Sequence, residues 1–178
     1  KLKLIADEFK LEYHIIRLDD QATFLKLLNN VKIMINCAGP FVFSAEKIIN
    51  YCLKTNTHYI DITGEIEVFE LAKSYDKKAI DANVMLMPGT GFDVVPSDCL
   101  AAYIKKQLPE TIHLELAFTN KMGGISNGTL RTAIHNLGEG GLIRENHQYK
   151  KVATAHHSKL INFGKLKSTL HLKKTFLP

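Results

Sequence analysis

Strand-like apolar runs begin near Val31, His58, Val84 and Thr111, at intervals of 27, 26 and 27 residues. No other feature limits the fold so sharply. An interval of that length holds one helix and its two turns, so the runs read as successive strand-helix-strand units of a parallel sheet. Helical patterns fill the gaps. Over residues 44–53, Ile48, Ile49, Cys52 and Leu53 fall on one side; over 66–82, Val68, Phe69, Ala72, Tyr75, Ala79 and Ile80 recur at helical spacing; a third pattern covers 97–108. The runs 31–35 and 84–87 are almost wholly apolar, as expected of parallel strands covered on both faces.

Upstream, residues 2–9 form a short helical pattern with Leu2, Ile5 and Phe9 on one face. Residues 11–18 read as a strand, and 21–28 as a helix with Asp19 or Asp20 at its N-cap. After a strand predicted over 111–118 the character changes. Paired glycines at Gly123-Gly124 and Gly140-Gly141 bracket one helical stretch, 129–137, and short alternating segments rich in Thr, Lys and His come after it. A domain change is placed between Leu108 and Thr111, giving a first domain over 1–109 and a second over 110–178.

Composition excludes several classes. Hydrophobic residues make up 46% of the 178, which argues for a packed core. No apolar run approaches the roughly 20 residues of a membrane span. Cys37, Cys52 and Cys99 have no metal-binding spacing, and each sits in an apolar context; they read as buried free thiols of a reducing, cytoplasmic setting. His147 and the pair His156-His157 lack ligand spacing, so no metal is expected. The formal charge of +5 comes from the tail: residues 1–140 hold 15 Lys and Arg against 17 Asp and Glu, whereas 141–178 hold 8 against 1. These cations alternate with apolar residues, as in Lys165-Leu166-Lys167, and read as a solvated strand face; no nucleic-acid partner is expected.

The chemistry gathers where the strands end. Residues 88–101 run from Pro88-Gly89-Thr90-Gly91-Phe92-Asp93 through Pro96-Ser97-Asp98 into a helix. Glycines there let a ligand approach the backbone, and strand ends facing helix starts bind ligands in open parallel sheets; ordinary turn and cap chemistry is the alternative. The run 31–35 enters Asn36-Cys37-Ala38-Gly39-Pro40-Phe41, either a seat for a flat ligand or a tight turn. The next strand end, His58-Tyr59-Ile60-Asp61-Ile62-Thr63-Gly64-Glu65, carries two acids. They suit a cationic substrate or proton transfer; alternatively, Asp61 is a satisfied buried acid and Glu65 complements the following helix.

Taken in order, Leu18-Asp19-Asp20, residues 36–41, 52–65 and 88–101, with a weaker match at Thr129-Leu130-Arg131-Thr132, resemble the saccharopine dehydrogenase-like NAD(P)-binding oxidoreductases. The resemblance covers roughly residues 1–143. It implies an α/β fold, part of a doubly wound Rossmann sheet, followed by the start of an α+β substrate domain. It also implies hydride transfer between NADP or NAD and a small-molecule or lipid-like substrate, with a homodimer allowed. The family's glycine-rich phosphate loop has no counterpart in these residues, so the chain is expected to be a fragment lacking the first strands and to bind the cofactor poorly alone. The alternative function is an inactive Rossmann-like interaction module.

The resemblance assigns Asp19 and Asp20 to the adenine border, Ala38, Gly39, Pro40 and Phe41 to the middle of the cofactor, and Gly89, Gly91 and Phe92 to its nicotinamide end. Asp93, Ser97 and Asp98 are expected nearby, with Asp93 at the cofactor. Hydride transfer needs a held cofactor and at most one proton donor; Tyr59, His58 and Asp98 are the candidates. Strand 31–36 should pair with 58–62, and 58–62 with 84–87, while 11–18 either stands apart or slides beside 31–36.

Overall fold

The computed structural model describes residues 2–92, 94–112, 114, 116–117, 130–131, 134, 140–145, 148–153, 161 and 163. The chain divides into two compact units, Lys1–Asp93 and Val94–Pro178.

In the first unit, α1 (Leu2–Phe9) and α2 (Gln21–Leu28) precede β1 (Ile33–Asn36). A 3-10 turn (Phe41–Phe43) leads into α3 (Ala45–Thr55), followed by β2 (His58–Asp61), α4 (Ile66–Ser74), α5 (Asp76–Asp81) and β3 (Leu86–Met87). The three strands form one parallel sheet in the order β1-β2-β3, with Ile33 opposite His58, Asn36 opposite Asp61, and Tyr59 opposite Leu86. Both expected ladders are present.

Local sequence accounts for the helix ends. Asp20 caps α2 by accepting from the Thr23 N–H at 3.2 Å. That satisfies one of the donors a helix start leaves open. Asn56 stops α3 in the left-handed conformation, φ 53°, a geometry Asn tolerates better than most residues. The pattern over 66–82 yields two helices instead of one, because the chain leaves helical geometry at Tyr75.

The core lies between the helices and one face of the sheet. Helix α3 buries Ala45, Ile48, Ile49 and Cys52 at helical spacing. They meet Tyr59 from β2, Val68 and Ala72 from α4, and Phe24 and Leu28 from α2. Phe24 and Tyr51 pack with ring centroids 5.0 Å apart. Burying a side chain such as Ile49 completely is worth about 1.5–3 kcal/mol. Burial of Cys52 pushes its thiol up to about 12.

Three expectations change. The apolar strands are not covered on both faces: Ile33 and Ile35 are 48% and 56% exposed. The strand order is sequential, and right-handed crossovers running one way place α3 and α4 on the same side. Residues 11–18 form no strand; they stand apart from the ladders. Ile16 and Leu18 still pack inward, and the Leu18 carbonyl accepts from the Tyr51 hydroxyl at 3.0 Å. The segment has strand-like alternation, but a strand needs a partner and none of the described strands pairs with it. The same holds for 111–118, whose described residues are in no regular element.

The second unit contains α6 (Val95–Gln107), which begins two residues before the expected Ser97, with Pro96 in its first turn, where a missing N–H is harmless. Lys105 ties the helix end to the segment after it by donating to the Thr111 carbonyl at 2.8 Å. Strands β4 (Gly141–Glu145) and β5 (Gln148–Val152) pair as an antiparallel hairpin, with Gly141 opposite Val152. Leu130, Arg131 and Ile134 are helical, within the stretch expected over 129–137. His147 and His156-His157 lie outside the described residues.

Candidate functional site

The C-terminal ends of β1, β2 and β3 lie side by side, and the loops leaving them bring most of the expected residues together. Their centre is a chain of buried hydrogen bonds. The Asn36 side-chain amide donates to Ser44 Oγ at 3.1 Å and to the Tyr59 hydroxyl at 3.2 Å. Tyr59 donates to Asp61 Oδ2 at 2.7 Å. The other Asp61 oxygen accepts from the N–H groups of Thr63 at 3.0 Å and Gly89 at 2.8 Å. Ser44 donates to the Ala38 carbonyl at 2.9 Å, and the Ala38 N–H returns to Asn36 Oδ1 at 3.0 Å. Asn36, Tyr59 and Asp61 are each at most 1% exposed.

Asp61 is therefore a satisfied buried acid. Glu65 takes an unexpected part. It stands at the N-cap position of α4, yet makes no side-chain cap there. Its carboxylate instead accepts from the N–H groups of Phe41 at 3.1 Å and Val42 at 2.8 Å, at the start of the 3-10 turn after β1. Those are donors that a helical turn leaves open, and a carboxylate there also complements the turn's dipole.

The outward-facing residues of these loops are largely apolar. Cys37, Ala38, Ile62, Gly64 and Phe92 are exposed, and Gly39, Pro40 and Gly91 are half-buried. The Gly39-Pro40 peptide is cis. The N–H groups of Ala38, Phe41, Val42, Thr63, Glu65, Gly89 and Thr90 are all committed to internal acceptors. An apolar surface of this kind suits a planar ring.

The glycines serve the protein's own packing. Gly89 adopts φ +74°, and a Cβ there would lie 2.5 Å from the Phe69 ring. A Cβ at Gly91 would lie 2.9 Å from that of Ile62, and φ at Gly91 is not in the positive range. Close approach at these positions is therefore by Phe69 and Ile62. At Gly64 a Cβ would meet nothing within 4 Å. That position is open to a ligand, although the strand-end pattern drew attention to its neighbours.

The remaining candidates are dispersed. Asp20 is occupied as the α2 cap, and Asp19 pairs with Arg17 at 3.1 and 3.2 Å on the surface. The hydrogen bond from Arg17 lowers the Asp19 carboxyl, and a distant contribution comes from Lys47 at the start of α3. Tyr59 is fully buried, and burial pushes its phenol well above the usual range, with the Asn36 bond opposing and Asp61 adding to the rise. His58 begins β2, about 10 Å along the strand from Asp61, and its Nδ1 accepts from the Met85 N–H at 3.0 Å. Asp98 is exposed in the first turn of α6, in the second unit. Asp93 lies outside the described residues. Sequence reasoning misses Asn36, Ser44 and Thr63; a polar residue closing an apolar strand is the signal that would have found Asn36. Among the described residues no cluster of side chains could hold a metal, and no helix is long and apolar enough to cross a membrane.

Comparison with known proteins agrees with this architecture. Residues 1–87 match the family model described as the saccharopine dehydrogenase NADP binding domain. A saccharopine dehydrogenase-like oxidoreductase of Mus musculus is 29% identical over 134 residues, covering 72% of this chain and 31% of that protein. A trans-acting enoyl reductase of Mycobacterium ulcerans is 28% identical over 100 residues, covering 56% of this chain and 24% of its own length. The chain thus spans about a third of the length of the first of these relatives. In structure it resembles apo saccharopine dehydrogenase (L-Glu forming) from Saccharomyces cerevisiae, with a TM-score of 0.52 at 13% identity over 60% of this chain and 23% of that one. Sheet, strand-end loops and matched segment agree: residues 1–87 match the saccharopine dehydrogenase NADP binding domain, on a parallel sheet of partial Rossmann type.

Proposed function

We infer that the protein is an NAD(P)-dependent oxidoreductase and that the β1, β2 and β3 ends form the nicotinamide side of its cofactor site. The observation that carries this reading is the apolar outer surface around Ile62 and Gly64, flanked by Ala38–Phe41 on one side and Gly89–Phe92 on the other. When bound, the cofactor supplies the hydride. The chain's own residues exclude water with Ile62 and Phe92 and seat a flat ring on backbone at Gly39 and Gly64. Asp19 and Asp20 border the adenine.

Neither Tyr59 nor His58 is favoured as the proton donor: Tyr59 is buried and spends its proton on Asp61, and His58 is half-buried at the far end of β2. Asp98, exposed in the first turn of α6, remains a candidate donor from the resemblance. Residues 1–109 supply the cofactor part and 110–178 the beginning of the substrate part. The substrate is a small or lipid-like molecule; the enoyl reductase relative supports that class. Only Cys52 is buried, whereas Cys37 and Cys99 are exposed, contrary to expectation; all three are free thiols, which supports a reducing location such as the cytoplasm. Fluorescence titration of the whole protein with NADPH and NADH tests the reading. Saturable binding below millimolar concentration is expected, and no binding at millimolar concentration refutes it. An inactive interaction module would give that second result.

A further inference from the structure

Along the extended chain that leaves β2, Asp61, Thr63 and Glu65 alternate with Ile62 and Gly64. The first three point into the unit and are 0%, 0% and 7% exposed; the other two face outward. The alternation is that of an extended strand, so one short segment has a holding face and an open face. On the holding face, Glu65 reaches one way, to the Phe41 and Val42 N–H groups of the loop after β1. Asp61 reaches the other way: its side chain holds the Gly89 N–H at 2.8 Å, and its carbonyl accepts from both the Thr90 N–H and Oγ1 at 2.7 Å. Thr63 joins the two, with its N–H on Asp61 and its hydroxyl accepting from the Glu65 N–H at 3.0 Å.

We propose that Asp61 and Glu65 are positioning residues that hold the loops after β1 and β3 at a set gap on either side of Ile62 and Gly64, and that this gap determines the affinity for the planar ring of a nicotinamide cofactor. The inference rests on the cofactor reading above and adds to it the buried groups that set the site. Neither carboxylate touches the ligand. Each is needed as a carboxylate because both of its oxygens accept, from backbone N–H groups and, at Asp61, from the Tyr59 hydroxyl as well. Glu65→Gln puts an NH2 group where one of the two N–H donors needs an acceptor, so one side of the gap loosens.

The test uses the whole protein and NADPH, with binding read by fluorescence well below the melting temperature. Ile49→Val and Ile49→Ala, in the α3 core and outside these loops, serve as references of graded stability. Glu65→Gln is expected to raise the NADPH Kd about tenfold, the effect of losing one charge-assisted hydrogen bond. The Ile49 variant that matches its melting temperature is expected to keep the wild-type Kd. Equal Kd values for Glu65→Gln and the matched Ile49 variant overturn the proposal and leave the cofactor reading standing. Failure of the unsubstituted protein to bind NADPH or NADH overturns both. A second measurement needs no variant: hydrogen exchange in the unsubstituted protein should slow over residues 37–43 and 88–91 when NADPH is added. Unchanged exchange in both segments while NADPH is bound also overturns the proposal.

Discussion

Asp61→Asn examines the direction of the buried hydrogen-bond chain. Between Asn36 and Asp61 the donors point toward Asp61: Asn36 to Tyr59, Tyr59 to Oδ2, and two N–H groups to Oδ1. An amide at position 61 keeps one oxygen for Thr63 and Gly89 but turns an NH2 group toward the Tyr59 hydroxyl. That oxygen already accepts from Asn36, so the Tyr59 proton is left without an acceptor in a fully buried place. An unsatisfied buried donor costs about 1–3 kcal/mol, and two charge-assisted bonds become neutral ones of roughly half the strength. Relief from burying a carboxylate offsets part of this. We expect a net loss of about 2 kcal/mol. Tyr59→Phe alone deprives Asp61 Oδ2 of its donor and costs a similar amount. In the double variant the amide NH2 at position 61 replaces the stranded proton and no undonated carboxylate remains, so it should be about 1–2 kcal/mol more stable than the sum of the singles. Urea unfolding of the four proteins, with equal m-values, measures the cycle. Additivity within about 0.5 kcal/mol, or wild-type stability for Asp61→Asn, would refute this direction of donation.

Gly64→Leu should leave stability within about 0.5 kcal/mol of wild type, because the position opens on solvent, while abolishing NADPH binding by occupying the ledge; calorimetry and fluorescence titration read the two effects separately, and normal binding places the ring elsewhere. Gly89→Ala should destabilise by about 1–3 kcal/mol through its positive φ and the Phe69 ring, with Phe69→Leu recovering part of the steric share in denaturation curves. Gly91→Val carries a packing penalty against Ile62, so its melting temperature should fall together with its cofactor affinity; a lowered affinity at an unchanged melting temperature would show that Ile62 yields freely. Cys52, raised from 9.0 to about 12 by burial, stays protonated in the folded chain where the unfolded chain ionises. The unfolded state then binds fewer protons, so its contribution to stability is complete below pH 9 and is lost as pH rises toward 12. Comparing urea midpoints with Cys52→Ala across that range isolates the effect, and parallel curves would contradict it.

The elements that depend on neighbours in sequence are legible in the chain itself. The 21–28 helix and its Asp20 cap follow from one carboxylate three residues before an open N–H. The parallel pairing of 31–36, 58–62 and 84–87 follows from apolar runs separated by one helix each. The strand ends are also visible as the place of interest, since small residues and acids collect there.

Tertiary structure alone decided the use each of those residues is put to. Residues 11–18 and 111–118 have the composition of strands, but a strand exists only through hydrogen bonds to another segment, and its own sequence does not say whether that segment is there. Asp61 and Glu65 look alike as acids near one strand end. Their different duties come from which N–H groups the folded chain brings within 3.1 Å of them, across 23 to 28 residues of sequence. Gly89 and Gly91 announce close approach, yet only packing shows that the approaching atoms belong to Phe69 and Ile62, and that Gly64 is the glycine left facing open space. Helix caps, periodicity and turn chemistry act over a few residues and are written in order along the chain; the partners of a buried polar group are set by the path of the whole backbone.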